Sequence, residues 1–95
     1  MTGQYNGWTN YATWCVHRWM TGDQGTWRYT LETIADMRAL GNSTGAALVD
    51  ELADYLKADH MESVPEQVTG VWRDLITRSL GDVDWREIAE KLLEN

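Results

Sequence analysis

Hydrophobic positions recur every three or four residues along most of this chain, a spacing that predicts amphipathic helices. Glycine, proline and capping residues divide the pattern into about five segments joined by short loops. No stretch shows a convincing strand alternation. We therefore predict an all-α fold, a compact bundle of about five short helices that forms a single domain over residues 1–95.

The first segment has the highest density of aromatic residues. Asn6-Gly7 predicts a turn because both residues tolerate positive φ, and Thr9 or Asn10 is expected to cap a helix that runs to about Gly22. One face of this helix gathers Trp8, Tyr11, Cys15 and Trp19, with Trp14 and Arg18 beside it. These rings either anchor the core, which is the favoured interpretation, or form an exposed contact surface.

The second and third segments carry apolar stripes between clear turn signals. Thr21 with Gln24 fits a capping box, and Gly41-Asn42 fits the end of the second helix. Ser43 or Thr44 is expected to cap the third, which should fray over residues 57–61. The predicted inner faces comprise Trp27, Leu31, Ile34, Ala35 and Leu40 in the second helix, and Ala47, Leu48, Leu52, Tyr55 and Leu56 in the third.

The last two segments begin at stronger signals. Ser63, Pro65 and Glu66 together predict the start of a fourth helix, with Gly70 inside it at a cost of about 1 kcal/mol and Gly81 at its end. Its predicted buried stripe comprises Val64, Val68, Val71, Trp72, Leu75, Ile76 and Leu80. In the fifth helix Asp84 should cap and Glu87 should complete the box, Val83 and Ile88 should form a hydrophobic staple, and Ala89, Leu92 and Leu93 should point inward.

Composition narrows the class of protein. A hydrophobic content of 43% with six tryptophans supports a packed core and argues against disorder. No apolar run is long enough for a transmembrane helix, and the polar start of the chain does not resemble a signal peptide. With a single cysteine, Cys15, an internal disulfide is excluded, so we expect a cytoplasmic protein.

Charge is distributed unevenly. The net charge is −7, and residues 49–95 carry all of the excess because the first half is balanced. Direct nucleic-acid binding normally requires a basic patch. The sequence thus argues against a nucleic acid as a direct partner and favours a protein partner with a basic surface.

Candidate chemistry is sparse. Cys15 and His17 are two positions apart and face different directions on a helix, and a structural zinc site needs about four such ligands. We expect His60 to be a solvated surface histidine. No phosphate-binding glycine loop or nucleophile elbow occurs in the sequence. We therefore expect neither a metal nor a cofactor, and no enzymatic activity.

Carboxylates are abundant on the predicted polar faces. The favoured interpretation is a solvated surface. The alternative is a negative patch that docks on an Arg/Lys-rich partner. That candidate patch comprises Asp50, Glu51, Asp54, Asp59 and Glu62.

Two motifs carry a resemblance. Residues 6–14, Asn-Gly-Trp-Thr-Asn-Tyr-Ala-Thr-Trp, are similar to the opening of a family of small proteins from phages, plasmids and other mobile elements. Residues 83–90, Val-Asp-Trp-Arg-Glu-Ile-Ala-Glu, resemble the closing motif of some members. The resemblance implies an accessory gene of a mobile element and no catalytic residues. Because Trp8 and Trp85 each stand at a helix start, we predict that the terminal helices pack together.

Size, acidity and this context lead to two hypotheses. The first is a binding protein that inhibits a host defence system, such as a CRISPR effector or a restriction enzyme, by presenting carboxylates to a basic channel. The second is an accessory or structural module that self-associates through exposed rings among Trp8, Tyr11 and Trp14.

Overall fold

Five α-helices make up most of the chain in the computed structural model, which describes residues 5–41 and 44–94. Within these ranges there is no strand, only an isolated antiparallel bridge between Tyr5 and Trp8. The predicted all-α fold is confirmed. The helices are α1 (Tyr11–Gly22), α2 (Gln24–Leu40), α3 (Gly45–Glu62), α4 (Gly70–Asp82) and α5 (Trp85–Leu93).

The chain enters α1 through the predicted turn. Tyr5 and Trp8 exchange two backbone hydrogen bonds of 2.8 Å, and the two residues between them, Asn6 and Gly7, have φ of 48° and 86°. Asn10 then caps α1 by accepting the N–H of Thr13. Of the two candidate caps, Asn10 is therefore the one that occupies the position.

The cap predicted for α2 is wrong. Asp23, not Thr21, caps this helix, and its carboxylate accepts both the N–H and the hydroxyl of Thr26. Thr21 still belongs to α1, where its hydroxyl donates to the His17 carbonyl. Gly41 ends α2 with φ of 68°, as predicted.

The start of α3 matches its prediction only in part. Thr44 occupies the N-cap position without a side-chain hydrogen bond, and Asn42 and Ser43 lie outside the described residues. The helix does not fray over residues 57–61 but continues to Glu62. The amide and hydroxyl of Ser63 both donate to the Asp59 carbonyl, so this residue ends α3 instead of starting the next helix.

The core forms where α5 packs against α3, with α1 also in contact. As its spacing predicts, α5 buries Trp85, Ile88, Ala89 and Leu92. Val83 and Ile88, the predicted staple, are both buried. The central cluster comprises Met20, Ile34, Leu52, Ala53, Leu56, Val83, Trp85, Ile88, Ala89 and Leu92.

In three helices the predicted inner face is rotated about the helix axis from the face that the structure buries. In α1, Tyr11 and Trp19 are exposed, and Thr13 and Met20 are buried instead. In α2 the exposed members are Leu31, Ala35 and Leu40, and in α3 they are Ala47 and Tyr55.

Threonine explains part of this rotation. Thr30 and Thr33 are buried in α2 because their hydroxyls donate to the Thr26 and Tyr29 carbonyls of the same helix. That bond removes the cost of desolvating the hydroxyl. A buried threonine is polar, so the hydrophobic pattern of the sequence does not mark its position as buried. A stripe defined by the large hydrophobic residues alone is therefore rotated away from the face that the structure buries.

The N-termini of α1 and α5 meet, which confirms the predicted packing of the terminal helices. The Thr13 hydroxyl donates to Asn10 Oδ1 (2.7 Å) and accepts the N–H of Asp84 (2.8 Å). Asn10 Nδ2 donates to the Asp82 carbonyl at 2.9 Å. The cap of α1 is thus hydrogen-bonded to the last residue of α4, and Thr13 in the first turn of α1 is hydrogen-bonded to the cap residue of α5.

Carboxylates complete this junction from the other side. Asp84 caps α5 through the N–H of Glu87 and also accepts the Thr9 hydroxyl at 3.3 Å. Glu87 accepts the Thr9 N–H at 3.0 Å instead of the backbone of its own cap. The predicted capping box is therefore half formed, and its second half links the two helices. Both helix N-termini carry partial positive charge, which these carboxylates offset.

The buried stripe predicted for the fourth helix is wrong. Helix α4 starts at Gly70, whose φ of 64° is incompatible with a helix interior, so residues 65–69 form a loop. Among the described residues of α4 none is buried. The exposed apolar residues are Val71, Trp72, Leu75 and Ile76. Gly81 does not end the helix, which runs on to Asp82.

Thr13→Val should destabilise the protein more than Thr26→Val. Both threonines donate their hydroxyl to the cap side chain of their own helix, but only Thr13 also accepts the N–H of Asp84. We expect losses of about 2–3 kcal/mol for Thr13→Val and about 0.5–1 kcal/mol for Thr26→Val in urea denaturation. Equal losses would mean that the bond between the two helices contributes nothing.

Gly70→Ala and Gly81→Ala should act in opposite directions. An added Cβ meets no atom within 4 Å at either position, but only Gly70 has positive φ. We expect Gly70→Ala to lower the free energy of unfolding by about 1 kcal/mol and Gly81→Ala to raise it by up to about 1 kcal/mol. If both substitutions stabilised the protein in thermal denaturation, α4 would extend through Gly70.

Candidate functional site

The five candidate carboxylates all lie on α3 but do not form a single patch. Asp50, Glu51, Asp54 and Glu62 are exposed, whereas Asp59 is half-buried. At about 100° per residue, Asp50, Glu51 and Asp54 point away from the core, whereas Asp59, seven residues after the buried Leu52, falls on the side of α3 that faces the rest of the protein. The structure therefore brings together a smaller outward group, which we call the acidic face: Asp50, Glu51, Asp54 and Glu62.

One member of the acidic face is paired. Arg86 of α5 forms a salt bridge with Asp50, and both side chains remain about half exposed. Exposed pairs of this kind contribute little to stability, but the guanidinium reduces the local negative potential. No local pattern in the sequence indicates this pair, because the two residues are 36 positions apart. Glu51, Asp54 and Glu62 remain the better candidates for contact with a cationic partner.

Asp59 lies in a cleft of about 540 Å³ between α2 and α3. Its polar walls include Asp23 and Thr26 on one side and His60 and Ser63 on the other. The Tyr29 and Tyr55 hydroxyls form a hydrogen bond with each other beside the cleft. The hydroxyl and N–H of Thr26 lower the pKa of Asp23, and the bond with Tyr55 is the main reason that the pKa of Tyr29 is raised. The anionic carboxylate of Asp23 supplies the cleft with a hydrogen-bond acceptor, whereas the hydroxyl groups can both donate and accept.

His60 is not the solvated surface histidine that we expected. It lies within α3, half-buried, with its ring 5.1 Å from that of Trp85 and its Nδ1 donating to the Leu56 carbonyl at 2.8 Å. A signal for this was present in the sequence. His60 continues the row of Leu52 and Leu56 at four-residue spacing, so it falls on the buried side of the helix.

The motif aromatics divide into buried and exposed groups. Trp85 is buried, and its indole N–H donates to the Leu80 carbonyl at 3.1 Å. Trp8 is half-buried and stacks on His17 with ring centroids 4.4 Å apart. Trp19 is 71% exposed. Asn10 acts in the junction of the terminal helices and not in a contact surface.

A cluster of three rings lies on the outer side of α1. Tyr5 lies 5.1 Å from Tyr11 and 4.8 Å from Trp14 between ring centroids, and Tyr11 and Trp14 are 5.5 Å apart. The Arg18 guanidinium sits 5.3 Å from the Trp14 ring, a cation–π geometry. Tyr11 and Tyr5 are exposed. The second sequence hypothesis, contact through rings, therefore retains Tyr11 and Trp14 but not Trp8.

Residues 5–41 and 44–94 contain neither a cluster of metal-ligating side chains nor a helix suited to a membrane. No three His, Cys, Asp or Glu side chains in these ranges lie together as a metal ion's ligands would. None of the helices described there combines the length and the apolar composition needed to cross a membrane.

The chain belongs to a family of unknown function, DUF7249, whose model matches residues 1–94. No curated protein and no solved structure matches it. The family match covers both terminal motifs and the junction that they build. It assigns no activity.

Stability should depend on the protonation of His17. Burial, with a smaller effect of Lys91, lowers the pKa of this histidine below 6.5. The unfolded chain therefore binds this proton at a higher pH than the folded chain does, and the free energy of unfolding falls as the pH drops below 6.5 toward the folded pKa. His17→Phe keeps a ring against Trp8 and removes the titration, so it should lose less stability than the wild type between pH 7.5 and 5.5 in urea denaturation.

A direct measurement is an NMR titration of the His17 ring protons. The midpoint should lie below 6.5. A midpoint at or above that value, or the same pH dependence of stability in the wild type and in His17→Phe, would contradict the effect of burial.

Proposed function

We propose that this chain is a non-enzymatic protein-binding domain that docks through its acidic face on a basic, nucleic-acid-binding surface of its partner. The observation that carries this proposal is the presence of Glu51, Asp54 and Glu62 as exposed carboxylates on one helix. Among the described residues none of the three takes part in an ion pair. Their charge is thus available to a partner.

The rigidity of α3 favours a partner that normally binds phosphates. The helix is held to the core by Leu48, Leu52 and Leu56, so its outer carboxylates stay at fixed separations: along the axis Glu51 and Asp54 are about 4.5 Å apart, and Glu62 lies about 12 Å beyond Asp54. A fixed row of negative charges can occupy a basic channel in place of a nucleic-acid backbone. Pre-organisation of the row lowers the entropy cost of binding.

The partner class that this mechanism suits best is a host defence nuclease, a CRISPR effector or a restriction enzyme, which the chain would inhibit in the host cytoplasm. The net charge of −7 supports attraction to such a channel. The similarity of both terminal motifs to proteins of mobile elements supports the same context. The second candidate is an accessory module of a mobile element that associates through the ring cluster of Tyr5, Tyr11 and Trp14, and the exposure of Tyr11 favours it.

The acidic face can be tested with two charge-matched variants. The triple variant Glu51→Gln, Asp54→Asn, Glu62→Gln removes three exposed charges from the face. The control Glu32→Gln, Asp36→Asn, Glu66→Gln removes three exposed charges from elsewhere. Each tagged protein is used for capture from host lysate at physiological salt, and recovered proteins are identified by mass spectrometry.

We expect the wild type and the control to recover a nucleic-acid-binding defence protein and the acidic-face variant to lose it by about tenfold or more. Added DNA should displace the recovered protein, and binding should weaken as salt shortens the Debye length from about 8 Å toward 3 Å. Recovery that is equal for both triple variants would overturn the proposal. Recovery of structural or replication proteins of a mobile element would favour the second candidate.

A further inference from the structure

The Ser and Thr hydroxyls that line the cleft between α2 and α3 already donate their hydrogens inside the chain. The donors and their acceptors are Thr30 and Thr33 to carbonyls of α2, Thr26 to the cap carboxylate of that helix, and Ser63 to a carbonyl of α3. A hydroxyl has one hydrogen and two acceptor lone pairs. What these side chains still offer to a ligand is therefore hydrogen-bond acceptors.

Two carboxylates stand on opposite walls of the same cleft without a basic side chain beside them. Asp23 caps α2 through Oδ2 alone, and the half-buried carboxylate of Asp59 receives no hydrogen bond from the described part of the chain. Neither belongs to an ion pair there, and no Lys or Arg is among the described residues that line the cleft. Asp59 lies close enough to Tyr29 that its charge, after the bond with Tyr55 and desolvation, helps to raise the pKa of that tyrosine. The cleft is thus acidic and short of donors.

A mainly apolar cavity of about 260 Å³ continues the cleft toward α1. The cleft and this cavity share Asp23, Thr26 and His60. The walls of the cavity also include the buried Met20 and the exposed ring of Trp19. A cation in the cleft can therefore place apolar groups attached to it against Trp19. A bare metal ion has no such part, so the shape of the site favours an organic cation.

We propose that the cleft binds an arginine side chain of the partner protein, with a neighbouring apolar side chain in the cavity beside Trp19. A guanidinium has five N–H donors and no acceptor, which matches a cleft that offers acceptors. Its planar fork pairs with carboxylates and stacks on aromatic rings. Asp23, Asp59 and Tyr29 supply both kinds of contact. A lysine ammonium brings fewer donors and no flat surface, so it fits the same walls less well.

The cleft borders the acidic face. Tyr55 and Asp59 lie in a row along α3 with Glu51 and Glu62, at spacings of three and four residues. A basic surface that docks on the acidic face thus brings its side chains to the mouth of the cleft. The source of the arginine rests on the proposed function, whereas the affinity of the cleft for a guanidinium does not.

The ligand is tested with short peptides in an NMR titration of the full, isotope-labelled chain. A capped Leu-Arg-Leu tripeptide is compared with the same peptide carrying citrulline, which keeps the shape of arginine but is neutral and replaces one donor group by an acceptor. At about 0.15 M salt, where the Debye length is about 8 Å, the arginine peptide should shift the amides of Tyr29 and Asp59. We expect it to bind at least about tenfold more tightly than the citrulline peptide.

Two matched variants test the site. Asp59→Asn and Asp54→Asn each remove one carboxylate charge from α3, but only Asp59 lines the cleft. We expect Asp59→Asn to weaken binding of the arginine peptide about tenfold and Asp54→Asn less than about twofold. Asp23→Asn keeps a capping side chain on α2 and should also weaken binding. Trp19→Ser should reduce the advantage of Leu-Arg-Leu over Gly-Arg-Gly.

Three results would overturn the proposal. They are equal affinity for the arginine and citrulline peptides, equal effects of Asp59→Asn and Asp54→Asn, and displacement of the peptide by MgCl₂ but not by NaCl of the same ionic strength, which would mean that the carboxylates bind a metal ion.

The triple variant of the acidic face separates this proposal from the proposed function. It keeps the cleft, so it should bind the arginine peptide within about threefold of the wild type at this salt concentration, even where it no longer captures a partner. Peptide binding by a chain that captures no partner would support the cleft and count against the proposed function alone. Capture of the partner by a chain that binds no arginine peptide would overturn the cleft proposal and leave the acidic face unaffected.

Discussion

The structure depends on a junction between two helix N-termini that lie more than seventy residues apart in the sequence. Thr13 is fully buried at this junction, and its one hydroxyl both donates to the cap of α1 and accepts the N–H of Asp84. The two positive helix ends can meet because the carboxylates of Asp84 and Glu87 lie between them. With the junction formed, Trp85 and Ile88 are held against α3, and the core closes.

The role of the terminal motifs follows from this junction. Thr9, Asn10 and Thr13 come from the first motif, and Asp84 and Glu87 come from the second. Residues that make a motif distinctive need not touch a ligand. Here the polar members of both motifs join the two ends of the chain, and the rings around them are divided between the core and the surface. The surface chemistry of the protein must then be sought outside most of the motif, on α3 and α4.

The sequence predicted those features that local chemistry determines. The Asn6-Gly7 turn, the Asp84 cap and the inner face of α5 follow from residues close together in the chain, and the structure has all of them. Features that depend on distant partners were predicted less well. The periodicity of α4 correctly groups Trp72 and Leu75 on one face, but it cannot say whether another part of the chain covers that face.

The candidate sites show the same limit. Spacing placed five carboxylates on α3, but the pairing of Asp50 with Arg86 depends on how α5 packs. Asp59 and His60 were predicted to lie on the surface. In the structure both line the cleft between α2 and α3, and the His60 ring also packs on the ring of Trp85. In each case the residue type could be interpreted from the sequence, but its contact with a residue of another helix could not be predicted. The acidic face that we propose as a docking surface is therefore smaller than the patch visible in the sequence.

The most direct test of the junction is the hydrogen exchange of a single amide, that of Asp84, followed by NMR under native conditions. Asp84 is an N-cap residue, and its N–H has no partner within its own helix. Because Thr13 accepts it inside the protein, we predict exchange only through global unfolding, at the rate of the core amide of Ile88. Exchange as fast as that of Thr69, the exposed N-cap residue of α4, would show that the two ends of the chain are not joined in this way.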